Sequence, residues 1–407
     1  MRHSCILFFL AAATATAQTG QLTLQQAIKI ASDNNLGLRT ASLEVSAKGQ
    51  LKKTGFDLPK THVSWMYGQY NSYADTDNNI TVTQGIPFTA LGSQASLNRT
   101  LYASAQLKKA ATENELIYQV KQVYYALSFE KARRQFLVQQ DTIFQGFMKS
   151  ATLRHKTGET NLLEKTTAEM QWYELTNQLR LNEGAIVILR TQLQALLNAR
   201  ELPEITEVTL PELVLGSSDS SAVAGNPALA FLRQQIEVAK SQKKVENAKF
   251  APDLLVGFFS QTLIDVINPE NGAPATASDR FTGFQVGLAL PLWFVPHQAR
   301  SKAADYTRQA AESSYQFEEA KMSSQFQQAV QRYQKAKSSL EYYKQSALPN
   351  SDIILRQVQI AFVNGEIGYA EYLLGVRNAI DIKNAFLSTL SEYNQAIIFI
   401  EFLSGNK

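Results

Sequence analysis

The same order of sequence signals occurs twice in this chain, about half its length apart, so whatever one half folds into the other must fold into as well. Asn35-Leu36 opens a helical stretch that ends at Pro59, and Asn226-Pro227 opens another that ends at Pro252, at separations of 191 and 193 residues. The strand-ending prolines Pro87 and Pro291 lie 204 apart, and the turn glycines Gly158 and Gly365 lie 207 apart. The offset drifts slowly and in one direction, as duplication with small insertions produces and chance matching does not. Each copy joins very long helices to short amphipathic strands, so the expected product is a large tube.

Residues 1–17 read as a secretory signal, with Arg2, an apolar run Ile6–Ala13 and a small-residue cleavage site Ala15-Thr16-Ala17. Cys5 precedes the apolar run, so it is not an acylated lipoprotein cysteine, and it leaves with the peptide. The remaining chain has no cysteine, which excludes disulfides and thiolate chemistry. Its histidines, His62, His155 and His297, have no metal-ligand spacing. Loss of Arg2 takes the formal charge from +3 to +2, which gives no nucleic-acid-like basic field. Apolar runs after the signal are too short for a spanning helix, since Ala396–Ile400 is stopped by Glu401. A chain of this kind crosses a membrane only as a closed β-barrel.

Four strands are expected, at 61–71, 80–88, 253–264 and 281–292. In the first, Val63, Trp65 and Tyr67 alternate with Ser64, Met66 and Gly68; in the last, Phe284, Val286, Leu288 and Leu290 alternate with Gly283, Gln285, Gly287 and Ala289. Bulky apolar residues on one face and small or polar ones on the other form the pattern of a membrane barrel strand. Four strands cannot close a barrel, so the chain must associate with itself to bury its strand edges.

The rest is helical. Thr23 and Gln26 have the form of a capping box, and the helix that follows runs to about Leu58, broken near Asp33–Gly37. Leu91 to His155 contains no proline, so one helix of about 60 residues, ~90 Å long, fits there. Pro296–Phe362 is its counterpart. Leu175, Leu179, Ile186, Leu189, Leu193 and Leu196, with Asn182 in the seam, follow coiled-coil spacing; so do Leu373, Val376, Ile380, Leu387, Leu390 and Ile397, with Lys383 and Asn394 in register. The reading is therefore 18–199 as a first repeat, 200–225 as a linker or belt, and 226–407 as a second repeat. The fold class is mainly α with a transmembrane β part, made of duplicated coiled-coil hairpins and four strands per chain.

These residues resemble the TolC-like outer-membrane efflux channels. The carriers are Leu22-Thr-Leu-Gln-Gln-Ala-Ile-Lys-Ile-Ala-Ser-Asp-Asn-Asn-Leu-Gly-Leu-Arg39, the restart at Asn226-Pro227-Ala-Leu-Ala, the paired prolines and the tip turns. Leu36 departs from the family's usual proline, which loosens the expected kink. The resemblance implies a homotrimer with a twelve-stranded barrel in the outer-membrane lipid and a periplasmic helical tube. It also implies a periplasmic adaptor and an inner-membrane pump, such as an RND-type transporter, as partners, and passive export of drugs, proteins or heavy-metal cations, with a weak lean to the metal branch.

Within that frame the tip turns Lys156-Thr157-Gly158-Glu159 and Val363-Asn364-Gly365-Glu366 would meet the adaptor. Glu371 stands where the family carries a gate-forming acid, with Glu164 as the weaker equivalent; a further family acid is replaced by Leu374. Three copies of Glu371 on a threefold axis would form a carboxylate ring favouring cations. Trp65, Tyr67, Tyr70, Tyr73 and Trp293 are candidates for the aromatic girdle of a membrane barrel. No phosphate loop, paired-His motif or activated nucleophile occurs, so neither an enzyme nor a cofactor is expected. A structural or adhesive coiled-coil spacer of the cell envelope is the alternative from another class.

Overall fold

The computed structural model describes residues 21–70, 72–206, 209–216, 220–269 and 271–405. The expected signal at 1–17 lies outside them. In chain order the elements are α1 (Leu24–Asn34), α2 (Leu36–Leu51), β1 (His62–Tyr67), β2 (Asn78–Ile86), α3 (Phe88–Lys156), α4 (Leu162–Leu197), α5 (Pro227–Ala248), β3 (Asp253–Thr262), β4 (Arg280–Ala289), α6 (Phe294–Tyr342), α7 (Leu348–Val363) and α8 (Tyr369–Ser404). They form two compact units. One takes the described residues up to Asn35 with Gln119–Val214 and Tyr333–Gln395, and the other takes Leu36–Tyr118, Leu215–Arg332 and the described residues from Ala396.

α1 begins as its sequence requires. The Thr23 hydroxyl accepts from Gln26 N at 3.2 Å while Thr23 N donates to Gln26 Oε1 at 3.0 Å, so two N–H groups that no helical carbonyl can reach are satisfied. The break after α1 is narrower than the sequence suggests. It is confined to Asn35 (φ −63°, ψ 126°), and Gly37 lies inside α2. Asn226 before α5 has φ −62° and ψ 127°. Leu36 in place of proline therefore does not alter the backbone, because the asparagine and its contacts set the extended residue. Asn35 Nδ2 donates to Leu196 O at 3.0 Å, and Asn226 Nδ2 donates to Phe402 O and Leu403 O, each at 3.1 Å.

The four strands make one antiparallel sheet in the order β1-β2-β3-β4. β1, β3 and β4 are shorter than expected and β2 keeps its length but starts and ends two residues earlier, for identifiable reasons. β1 stops at Tyr67 because Gly68 turns to φ 115° and its N–H bonds Asp77 O at 2.8 Å. β2 stops at Ile86 because Pro87 has no N–H for the ladder, and β4 stops two residues short of Pro291. β3 ends where Ile264 N turns to Asp77 Oδ1 at 3.1 Å and Asp265 adopts φ 67°.

The register explains how the two faces differ. Val63, Val82, Phe258 and Phe284 stand on one rung, and Trp65, Val63, Val286 and Leu288 are well exposed on that face. On the other face three large side chains lie across neighbouring glycines: Phe259 over Gly283, Gln285 over Gly257, and Leu255 between Gly85 and Gly287. A Cβ at Gly283 would sit 2.5 Å from the Phe259 ring, and one at Gly257 would sit 2.6 Å from the Gln285 side chain. The glycines let these residues lie flat on the sheet.

α3 is a single helix of 69 residues, longer than the sequence reading by a few residues at its start. Its counterpart is not single. The expected continuous helix Pro296–Phe362 widens to π geometry at Tyr343–Ala347, where Leu348 N–H bonds Tyr343 O, and then restarts with Pro349 in its first turn. A proline cannot supply the next α-type hydrogen bond, and the wider ring absorbs the loss. At the other end Pro296 is tolerated, because N–H groups of a first turn have no helical partner.

The first unit is held by the apolar cluster Leu137, Phe144, Leu175, Tyr372, Val376 and Ile380, flanked by Trp172 and Phe362. The coiled-coil residues Leu193, Val376 and Ile397 are buried as their spacing requires. In the second unit Tyr118 stacks on Phe402 with centroids 4.5 Å apart, and Gln235 Nε2 donates to Ser104 Oγ at 2.8 Å.

The glycine face makes a test. Gly283→Ala should cost about 1–3 kcal/mol through the Phe259 clash, whereas Gly287→Ala, whose new Cβ meets Leu255 only at 3.8 Å, should be close to neutral. Thermal unfolding of the two variants in detergent compares them, and equal losses would refute the flat-packing account.

Candidate functional site

The two tip turns lie in one unit and are built alike. Gly158 (φ 80°) and Gly365 (φ 76°) take the left-handed conformation that a β-carbon disfavours. In the first turn Glu159 N donates to Arg154 O at 2.8 Å and Gly158 N to His155 O at 3.2 Å; in the second Glu366 N donates to Ala361 O at 2.8 Å and Gly365 N to Phe362 O at 3.1 Å. Each turn therefore closes its helix with the same pair of bonds, the six-to-one and five-to-two pattern of a Schellman end.

The side chains around the turns differ. In the first, Thr157 Oγ1 donates to Arg154 O at 3.1 Å, and Asn161 Oδ1 caps α4 by accepting from Glu164 N at 2.9 Å. The Glu164 carboxylate is 17% exposed and pairs with Arg154 Nη1 at 3.0 Å while accepting from the Thr160 hydroxyl. Glu159 stands at 4.0 Å from the same guanidinium, and Lys156 is exposed. In the second turn Asn364 Nδ2 donates to Glu366 Oε1 at 3.2 Å. Glu371, in the first turn of α8, is exposed and accepts from Gly368 N at 3.2 Å, so it satisfies a helix-start N–H. Negative charge there is also favoured by the helix dipole.

Glu164 and Glu371 thus occupy equivalent places and different surroundings: the first is held by a cation and a hydroxyl, the second faces water. Leu163 and Leu374 are both strongly exposed beside them. Sequence reasoning singled out neither Arg154, Thr160 nor Tyr369. The pairing of Arg154 with Glu164 spans the turn and has no periodic signature, whereas Asn161 three residues before Glu164 is a readable capping signal.

Tyr369 opens α8. Burial, and secondarily the charge of Glu164, push its phenol up to about 12. Tyr393 is also pushed up to about 12, by burial first and then by its hydrogen bond with Tyr333.

The girdle candidates lie at two levels of the sheet. Trp65 and Tyr67 are on the exposed face of β1 with rings 5.8 Å apart, and Tyr70 and Tyr73 are exposed in the β1–β2 loop. Trp293, 81% exposed, follows β4 at the helix end, beside exposed Leu292, Phe294 and Val295. These neighbours of Trp293 were not picked out from sequence, because a four-residue apolar stretch, Leu292–Val295, next to a helix start carries no alternation. No helix among the described residues is long and apolar enough to cross a membrane.

The raised tyrosines give a pH prediction. An unfolded tyrosine ionises near 10, so between about pH 10 and 12 the unfolded chain has lost protons that the folded chain keeps. Stability is then lost as pH rises through this window. Tyr369→Phe should lose less stability there than the native chain, with the two parallel below pH 9, as followed by thermal denaturation across a pH series. Equal slopes would show that the Tyr369 phenol is not held neutral by the fold.

No protein-family model and no curated protein matches the sequence. Solved structures do match in fold. The transmembrane-channel protein CusC aligns with TM-score 0.76 and 17% identity over 94% of this chain and 92% of its own. The outer membrane protein VceC of Vibrio cholerae aligns with TM-score 0.74 and 14% identity over 94% and 96%. The open state of the Neisseria gonorrhoeae outer membrane channel MtrE aligns with TM-score 0.67 and 16% identity over 94% and 89%. Nearly the whole of each chain is covered, helices and sheet together, and the chain therefore has the fold of the TolC-like outer-membrane channels.

Proposed function

We propose that this chain is the exit duct of a tripartite export system, placed in the bacterial outer membrane with its helices in the periplasm. The observation that carries the reading is the four-stranded sheet. Its exposed face is apolar, its other face mixes glycines and polar residues with a few large side chains such as Phe259 and Leu255, and β1 and β4 each pair with a single neighbour. Four strands cannot close on themselves, so three copies supplying twelve strands would remove both edges and give an apolar band to lipid. Trp65, Tyr67, Tyr70 and Tyr73 at one level and Trp293 at the other would form its aromatic girdles.

In this reading the tip turns Lys156–Glu159 and Asn364–Glu366 meet a periplasmic adaptor, which couples the duct to an inner-membrane pump of the RND type. The duct does no chemistry. Glu371 is the gate acid: it is exposed at the start of α8, and three copies near a threefold axis would repel one another and attract cations. Glu164, already paired with Arg154, would act on the gate only if that pair opened. The cargo is a drug or a heavy-metal cation, chosen by the pump. An envelope spacer built from coiled coils would have no use for the alternating sheet, which favours the duct over that rival.

Planar-bilayer recording of the detergent-extracted protein tests this. Discrete conductance steps are expected, with the cation preference or the gating shifted in Glu371→Gln. Steps unaffected by that substitution would remove Glu371 from the gate and leave the duct. A water-soluble preparation that never conducts would favour the spacer.

A further inference from the structure

Behind the tip turns, α3, α4, α7 and α8 surround a cavity of about 530 Å³. Three of its walls are aromatic. Phe362 stacks on Tyr372 with centroids 4.6 Å apart, and Phe147 meets Tyr372 edge-on at 5.0 Å. A fourth ring, Tyr369, also lines the cavity, and its hydroxyl is closed off from solvent with no hydrogen-bond partner among the described residues. The Arg154–Glu164 pair, 3.0 Å apart, Ser150 and Gln359 are the polar part of the lining, and Ile143, Leu355 and Val376 add aliphatic surface.

Each feature narrows what could fill this space. A buried hydroxyl without a partner costs about 1–3 kcal/mol, so its retention calls for an acceptor. The polar groups of the lining, Ser150, Gln359 and the Arg154–Glu164 pair, leave the Tyr369 hydroxyl without a hydrogen bond. The volume is within the ~300–1,000 Å³ of small-molecule sites, which are also mostly apolar with a few placed polar groups. Arg154 and Glu164 cancel one another, so the lining brings no net charge to select an ion. The burial that keeps the Tyr369 phenol protonated leaves it a donor at any ordinary pH.

We infer that this cavity is a binding site for a neutral, planar aromatic compound with one hydrogen-bond acceptor, which stacks against the Phe362–Tyr372 pair and accepts from the Tyr369 hydroxyl. Offset stacking and the single bond together fix its orientation. The site has walls from both tip hairpins, so an occupant ties α3 and α4 to α7 and α8 in the arrangement seen here. It does not depend on the chain being a duct.

The probe is 7-methoxycoumarin, which is neutral, planar and carries a lactone carbonyl as acceptor. Equilibrium dialysis against the purified full chain in amphipol should give one saturable site per chain. Tyr369→Phe keeps the ring and removes the donor, and should raise Kd about fivefold, the worth of one neutral hydrogen bond. Gly146→Phe fills the cavity from its rim. Gly146 lines the cavity on α3 and a β-carbon there meets nothing within 4 Å, so the helix is kept, as circular dichroism should confirm, and saturable binding should vanish. No saturable binding to the native chain, or binding unchanged in Gly146→Phe, overturns the inference. An unchanged Kd in Tyr369→Phe removes the hydrogen bond and with it the proposed ligand class.

Discussion

Long helices paired by a heptad seam have a register problem, and a bond from asparagine amides to main-chain carbonyls answers it throughout this molecule. Leucine and isoleucine knobs repeat every turn or two, so a slide by one heptad keeps most apolar contacts. A buried amide is less forgiving, because it must find one particular acceptor or lose its hydrogen bonds. Asn182, 2% exposed, donates to Glu130 O at 3.0 Å, and Asn394, fully buried, donates to Pro211 O at 2.7 Å while its Oδ1 accepts from Leu213 N. Asn98 reaches Leu51 O at 2.9 Å and Asn114 reaches Phe402 O at 3.1 Å. Together with Asn35 and Asn226 these amides mark where helices stop and which turn each faces. The apolar seam supplies the stabilisation and the asparagines select one alignment of it, as polar seam residues do in coiled coils.

The sheet solves the same problem by shape. A one-residue slip in a strand exchanges its faces, and here the faces cannot be exchanged. Phe259 and Gln285 each need a glycine across the ladder, and a slip would set Phe259 against Thr282 or Phe284. Packing the large residues flat also keeps that side of the sheet shallow. The opposite side carries the exposed Val63, Trp65, Phe284 and Val286.

Much of this was legible because it depends on spacing. Alternation located all four strands, and Pro87 and Pro291 stood just beyond strand ends; the helix expected to reach Leu58 instead ends at Leu51 and tightens to a 3-10 turn at Lys52–Phe56, so Pro59 does not set its end. Asn182 and Asn394 stood in seam positions by count alone, and the capping box at Thr23 was complete in the sequence. What was not legible depends on contacts that a turn creates. Strand ends followed loop bonds such as Gly68 N to Asp77 O. The burial of Glu164 beside Arg154 and Thr160 came from the first tip turn folding back, so two acids that look equivalent by offset from their glycines meet different partners. Tyr369 was passed over for the same reason, since its role rests on three rings from α3, α7 and α8.

The π segment between α6 and α7 shows how a local defect and a long-range contact are placed together. Pro349 has no N–H to continue the α pattern, and the loss falls where Leu348 N–H reaches back five residues to Tyr343 O. That segment carries Lys344, which pairs with Glu212 of the irregular stretch 209–216. Asn394 holds the flanking Pro211 and Leu213 of the same stretch to α8. The helix is thus weakest in its own hydrogen bonding at the level where a segment from another part of the sequence grips it. An unsupported π turn would be a place for the helix to bend; here Lys344 ties it to a stretch that Asn394 in turn bonds to α8. The proline then costs the helix little, and it gives the chain a defined point at which the tip hairpin of α7 and α8 begins.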